Sequence, residues 1–201
     1  GTDQCIHLVK HLGLVENVFT REAMENLQGP LAIGHTRYAT VGKGAVEDVQ
    51  PLVLNYPYGI GLVHNGNIVN YHQIKDRLLK EMRRRCLTNS DTEALLNWFA
   101  HELHSTNFAG IEKATRSVFE NIQGSYSVIG VLADGGMFAF RDPGGIRPLV
   151  LGKKMVAEKG QQKAAYIFAS ETLPLDLLGY EFVKDLAPGE LVFISKELEL
   201  H

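Results

Sequence analysis

Tyr126-Ser127-Val128-Ile129-Gly130-Val131-Leu132, then Ala133-Asp134-Gly135-Gly136, then Met137-Phe138-Ala139-Phe140, is two apolar runs around a short turn-forming segment. Runs this short and this rich in β-branched and aromatic residues are strands, and Asp-Gly-Gly supplies the backbone freedom of a hairpin turn. The pairing expected is therefore antiparallel. Working outward, similar runs occur at Ile6–Val9, Leu31–Ile33, Leu52–Leu54, Ile60–Val63, Leu149–Leu151, Tyr166–Ala169 and Leu191–Ile194. Pro188-Gly189-Glu190 reads as a second hairpin turn before the last of them, and the polar stretch Glu158–Lys163 as a long hairpin loop.

Three helices interrupt the strands. Asn70 can cap a helix with Ile74, Leu78, Leu79 and Met82 at helical spacing, ending in Arg83-Arg84-Arg85, where cations suit the negative end of the dipole. Ser90-Asp91-Thr92-Glu93 has the form of a capping box, and Ala94, Leu95, Trp98, Phe99 and Leu103 follow on one stripe. A third helix runs from about Gly110 to Gln123, with Gly124 as its stop. Strands early and late with helices between them imply α+β layering rather than βαβ alternation, in a single domain over residues 1–201.

Composition excludes several classes. The chain has 201 residues, 45% of them hydrophobic, which is enough for a packed core and unlike a disordered or coiled-coil sequence. With 20 Lys and Arg against 23 Asp and Glu, the net charge of −3 and the scattered basic residues carry no nucleic-acid footprint. The longest apolar stretch, Ser127–Ala133, falls far short of the roughly 18 residues of a membrane span, so neither nucleic acid nor membrane is expected as a partner. Two cysteines outside any C-x-x-C pair do not make a disulfide scaffold or a cysteine metal site, which favours a reducing, cytoplasmic setting. His7 and His11 have the i, i+4 spacing of zinc ligands without the accompanying Glu, Gly42-Lys43-Gly44 lacks the spacing of a P-loop, and Cys86 reads as an inert thiol.

Three segments fall at element ends, where binding groups concentrate: Gly34–Thr40, His64-Asn65-Gly66-Asn67 and Ser90-Asp91. Together they offer an Arg, an Asp and an Asn side chain beside a Gly N–H. A guanidinium forks an α-carboxylate, an Asp accepts from an α-ammonium, and two neutral donors stabilise an oxyanion, so the set suits an amino acid with a reacting carboxamide. Each segment also has a plainer reading. Asn65-Gly66 is a strong hairpin-turn dipeptide, Ser90-Asp91 a helix cap, and Arg37 a partner for a nearby carboxylate.

Read in order, Gly34-His35-Thr36-Arg37-Tyr38-Ala39-Thr40, Gln50-Pro51, Tyr56–Ile60, His64-Asn65-Gly66-Asn67 and Ser90-Asp91-Thr92-Glu93 resemble the glutaminase domain of the class II glutamine amidotransferases. Within that group, Arg141–Leu149, Ala169-Ser170-Glu171 and Asp185–Glu190 resemble the amidophosphoribosyltransferase family. The resemblance implies an N-terminal nucleophile hydrolase fold, a four-layer αββα sandwich of mostly antiparallel sheets. It assigns Arg37 to the glutamine α-carboxylate, Asp91 to the α-ammonium, and the Asn65 side chain with the Gly66 N–H to the oxyanion hole. Thr40 and His64 line the pocket.

The resemblance further implies ammonia supply for 5-phosphoribosylamine in purine synthesis, by way of a C-terminal phosphoribosyltransferase domain that uses Mg²⁺ and lies outside these residues. A homo-oligomer is expected, with no cofactor in the glutaminase domain and no iron–sulfur cluster. Family members begin with a Cys whose thiol attacks the carboxamide, whereas this sequence begins at Gly1. The expectation is therefore an N-terminally truncated domain, inactive alone; Thr2 is a poor substitute nucleophile. The alternatives are a non-catalytic glutamine-binding or assembly module, and the glutaminase domain of another class II amidotransferase.

Overall fold

The computed structural model describes residues 5–37, 45–158 and 160–201, and it places the decisive hairpin at the centre of the larger sheet. Strands β3 (Gly124–Leu132) and β4 (Met137–Arg141) pair antiparallel, from Val131 opposite Met137 to Ser127 opposite Arg141. The turn is held where Gly136 N–H donates to the Asp134 side chain at 3.2 Å. Earlier in the chain lie β1 (Leu52–Leu54) and β2 (Ile60–Ile68), and the sheet is completed by β8 (Leu191–Ile194), in the order β1-β2-β3-β4-β8. A smaller sheet contains β5 (Val150–Glu158), β6 (Gln161–Ala169) and β7 (Glu181–Asp185), with β5 in the middle. Every pairing in both sheets is antiparallel.

The period of two along β3 and β4 sorts their side chains between two cores. Tyr126, Val128, Leu132, Phe138 and Phe140 face the helices, whereas Ile129, Val131, Met137 and Ala139 face the smaller sheet. The helical layer is α3 (Tyr71–Lys80), α4 (Asp91–Glu102) and α5 (Phe108–Asn121). Between the sheets, Val131, Ala139, Val192 and Ile194 meet Leu151 and Phe168. On the outer face of the smaller sheet, α6 (Leu173–Leu178) packs Leu175 onto Gly152. Helices, sheet, sheet and helix form the four expected layers. Two short helices, α1 (Val15–Val18) and α2 (Arg21–Glu25), lie in the N-terminal region.

Helix α4 is the keystone of the helical layer. An apolar stripe is expected from its sequence, yet Thr92 through Ala100 are all buried, because α3 and α5 flank it and cover its sides. The Trp98 ring lies under the Arg77 guanidinium at 4.6 Å and donates Nε1–H to Ser117 Oγ at 3.1 Å, which ties α4 to both neighbours. Beneath it, Phe99 stacks on Phe138 with ring centroids 4.7 Å apart. Gly130, opposite Phe138, makes that stack possible, since a Cβ there would lie 2.1 Å from Phe138 Cζ.

Several local expectations are corrected. Ile6–Val9 and Leu31–Ile33 are not strands, since a strand needs a neighbouring backbone as well as an apolar pattern. Ile33 and Ile6 still pack towards Gly61. Pro188-Gly189-Glu190 is a turn between sheets, joining β7 of the smaller to β8 of the larger, so it closes no hairpin. Glu158–Lys163 is hardly a loop, because β5 and β6 remain paired out to Glu158 opposite Gln161. The strand β7 has no counterpart among the expected runs; only Phe182 and Val183 are apolar in it, and both are exposed.

The caps also differ. The Asn70 side chain does not cap α3 but bridges to the end of α5, donating to Asn121 C=O and accepting from Gln123 N–H. Nor does Ser90 cap α4 with its hydroxyl, and Glu93 turns instead to accept from Leu87 N–H, Thr88 N–H and Thr88 Oγ–H. The third helix begins at Phe108, two residues before the expected start, capped by the Asn107 side chain.

Overpacking a filled core position costs about 1–3 kcal/mol. Gly130→Ala should therefore lower the urea midpoint by an equivalent amount, and an unchanged midpoint would show that the Phe99–Phe138 stack can shift at no cost.

Candidate functional site

The site grows from the unequal pairing of β2. On one side β2 is bonded along its whole length to β3, from Ile60 opposite Leu132 to Ile68 opposite Gly124. On the other side β1 covers only Ile60, Gly61 and Leu62. The backbone groups of His64, Gly66 and Ile68 share one direction by strand periodicity, towards that uncovered side. Consistent with this, Tyr126, opposite Gly66, turns its N–H and C=O the other way, to Asp142.

Two side chains occupy the uncovered edge. The Gln50 amide imitates a strand, with Oε1 accepting from His64 N–H at 2.6 Å and Nε2 donating to His64 C=O at 3.1 Å. Further along, Asp91 Oδ2 accepts from Ile68 N–H at 3.1 Å. The Gly66 N–H faces the same edge between these two clamps. Gly66 has φ +154°, and a Cβ would lie 1.9 Å from Ser125 C=O, so only glycine fits the close approach to β3. Asn65 and Gly66 are thus inside a strand, which removes their reading as a hairpin turn.

Side chains alternate about this edge. His64 faces the helices, buried, with Nδ1 3.2 Å from Thr92 Oγ1 and 3.7 Å from Asp91 Oδ1. Asn65 points to the opposite face and is half-buried, opposite Ser127, whose hydroxyl donates to Arg147 C=O at 2.9 Å. That carbonyl also accepts from Arg141, whose guanidinium gathers the carbonyls of Gly145 and Leu186 as well. The loop after β4 is thereby braced against the strand beside Asn65. Asp91, in the first turn of α4, is partly open to solvent, its side chain 28% exposed.

Arg37 is exposed and approaches this cluster through His35, whose proton affinity its charge lowers. Among the described residues Arg37 and Asp91 form no ion pair with each other. The structure therefore brings Asn65, Gly66, His64 and Asp91 to one edge, with Arg37 beyond His35. Thr40 lies outside the described residues, as do Thr2 and Gly42-Lys43-Gly44. Gln50 and His35 were quoted in the motifs without a role. Nothing in periodicity marks a Gln that substitutes for a strand, and only its place before the β1 run hints at it.

A cavity of about 1150 Å³ between the sheets adjoins the site and is lined in part by His35, Arg37, Gln50, Val53 and Gly61. Cys86 is buried, and burial pushes its thiol up to about 11, which makes it a poor nucleophile. Cys5 is exposed and lines the same cavity. Among the described residues no group of three or more His, Cys, Asp or Glu could hold a metal ion, and no helix is long and apolar enough to cross a membrane.

Burial lowers the proton affinity of His64, against the opposing pull of the Asp91 carboxylate and the Ser125 backbone. His35 is lowered too, by burial first and then by His64. Because the folded values lie below the ordinary 6.5, both rings are neutral at pH 7. The unfolded chain takes up these protons first, so their contribution to stability is complete above pH 6.5 and is lost as the pH falls through the folded values. Ring resonances followed by NMR should show both titrating below 6.5; titration at or above that value would remove the buried, neutral pair.

Comparison with known proteins agrees with this geometry. Residues 35–176 match the family model described as a glutamine amidotransferase domain. The chain is 43% identical to the amidophosphoribosyltransferase of Escherichia coli strain K12 over 98% of its own length and 40% of that relative. It is 39% identical to the enzyme of the same name from Schizosaccharomyces pombe, over 98% of the chain and 37% of the relative. The structure resembles one described as the allosteric regulatory enzyme of purine biosynthesis, with a TM-score of 0.77 at 33% identity, covering 94% of this chain and 38% of that one. It also resembles the glutamine phosphoribosylpyrophosphate amidotransferase of B. subtilis complexed with ADP and GMP, with a TM-score of 0.75 at 31% identity and the same two coverages of 94% and 38%. The chain thus spans about 40% of the length of the curated relatives it matches. These likenesses carry the N-terminal nucleophile hydrolase fold, and the match over the residues that build the site shows that the chain belongs to the glutamine amidotransferase family.

Proposed function

We propose that the chain is the glutamine-hydrolysing domain of an amidophosphoribosyltransferase, releasing ammonia for the synthesis of 5-phosphoribosylamine from phosphoribosyl pyrophosphate. The observation that carries this reading is the Gly66 N–H directed to the uncovered edge of β2, between the Gln50 clamp and Asp91. A donor held by a rigid strand, with Asn65 adjacent, is what a tetrahedral oxyanion requires. It is also hard to account for as fold stabilisation.

In this reading Arg37 forks the glutamine α-carboxylate and Asp91 accepts from the α-ammonium. The carboxamide carbon then lies near Asn65 and Gly66. The thiol of the family's N-terminal cysteine attacks that carbon, and the negative charge passing to the carbonyl oxygen is met by the Asn65 amide and the Gly66 N–H. Collapse of the intermediate expels ammonia, the thiol proton passing to the leaving nitrogen by way of the cysteine's own α-amine, and water then hydrolyses the thioester that remains, releasing glutamate and restoring the thiol. Thr40 and His64 complete the pocket wall. A phosphoribosyltransferase domain of the same protein receives the ammonia, with Mg²⁺ assigned to that domain and no cofactor to this one. The whole protein is a cytoplasmic homo-oligomer in this proposal.

The first test is ammonia release from glutamine by the full-length protein, with and without phosphoribosyl pyrophosphate. Glutamine binding without release would favour a non-catalytic module, and transfer to a different acceptor would favour another class II amidotransferase. Arg37→Ala and Asp91→Asn should each raise the glutamine KM strongly, because each leaves one end of the zwitterion unpaired. Asn65→Ala should instead lower kcat by roughly 10²–10³-fold, the usual cost of losing one oxyanion donor. Near-normal KM in both binding variants, or an unchanged kcat in the third, would sink the corresponding role.

A further inference from the structure

His64 stands where β2, α4 and the stretch carrying His35 converge, and its role as pocket lining leaves its geometry unexplained. Its backbone is held at both ends by the Gln50 amide. Its Nδ1 faces Thr92 Oγ1 and Asp91 Oδ1, and its Nε2 is buried with no hydrogen-bond partner among the described residues. His35 Nδ1 is likewise buried and unpartnered. We propose, on the reading of Asp91 as the ammonium-binding group, that His64 is a positioning residue that props Asp91 and acts as an acid-sensitive gate on it. While the ring is uncharged, the whole negative charge of Asp91 serves the ligand.

The argument is one of competing cations. Asp91 spends Oδ2 on Ile68 N–H and turns Oδ1 towards the imidazole. An imidazolium 3.7 Å away would be a second claimant for the charge that the α-ammonium needs. The neutral ring packs beside the carboxylate without claiming its charge. Protonation of a ring whose Nε2 is buried without a hydrogen-bond partner among the described residues carries a desolvation cost. The groups facing the ring act in both directions. From α4 the Asp91 carboxylate favours protonation and Thr92 is uncharged; from β3 the Ser125 backbone favours it; burial outweighs both. From the segment before Arg37, His35 interacts electrostatically with His64, and Arg37 adds its charge to His35.

The experiment is the pH dependence of glutamine KM and kcat between pH 5.5 and 8 in the full-length protein, for the native sequence, His64→Gln and Asp91→Asn. The native KM should be level at neutral pH and then rise as the ring protonates. Where only the neutral form binds, that rise approaches about tenfold per pH unit. His64→Gln should flatten the KM profile in this window, with the effect on KM rather than kcat. An undiminished rise in His64→Gln, with Asp91→Asn still raising KM at neutral pH, would overturn the gate while leaving the Asp91 assignment standing. Normal KM in Asp91→Asn would overturn both. Should His64→Gln fail to fold, the native protein carries the test through its ring resonances with and without L-glutamate, which has the same α-ammonium and is not hydrolysed. Bound ligand should lower the proton affinity of His64, and no change in a protein shown to bind L-glutamate would overturn the proposal.

Discussion

The half-covered edge of β2 is the constraint on which the rest depends. A strand buried in a sheet must have its backbone groups bonded, and an uncovered edge in a largely buried strand is costly unless something else satisfies it. Here β1 ends after three pairs, and a Gln amide and a carboxylate from a helix take over where its backbone would have continued, with the Gly66 N–H of β2 directed between them. The same arrangement that stabilises the strand exposes a fixed donor beside a fixed acceptor. Fold and site are thus two uses of one edge.

Placing Asp91 at that edge requires α4 to be docked with little freedom. The docking is apolar: Phe99 on Phe138, Trp98 between α3 and α5, and Gly130 leaving room for the Phe138 ring. A helix buried on nearly every side cannot slide to relieve a misplaced carboxylate, so core packing sets the precision of the electrostatics at its N-terminus. The Asp91 carboxylate then bonds across to β2, and the site is fastened from both sides.

Much of the architecture was legible in the residues. The hairpin at residues 126–140, the three helices and the antiparallel character follow from period and turn chemistry, both local properties of the chain. Errors arose where a local pattern has two physical causes. Ile6–Val9 alternates without being a strand, because a strand requires a neighbouring backbone that the pattern does not supply. Ser90 and Asn70 stand at helix starts, but their side chains answer to partners distant in sequence or to none. Strand β7 is nearly silent, because an exposed edge strand has little apolar alternation to display.

By itself, the sequence determined which chemical groups are available. An Arg, an Asp and an Asn-Gly pair suit a zwitterion with a carboxamide, and their order within the motifs carries the family. Only the tertiary structure decided what Asn65-Gly66 is, because a turn and a strand interior differ in what pairs with them and not in the dipeptide. It also decided that Gln50 replaces a strand, and that His64 is buried against Asp91 with one nitrogen unpartnered among the described residues. These are relations between residues far apart in the chain, set by how sheets and helices close around them, and no local pattern encodes them.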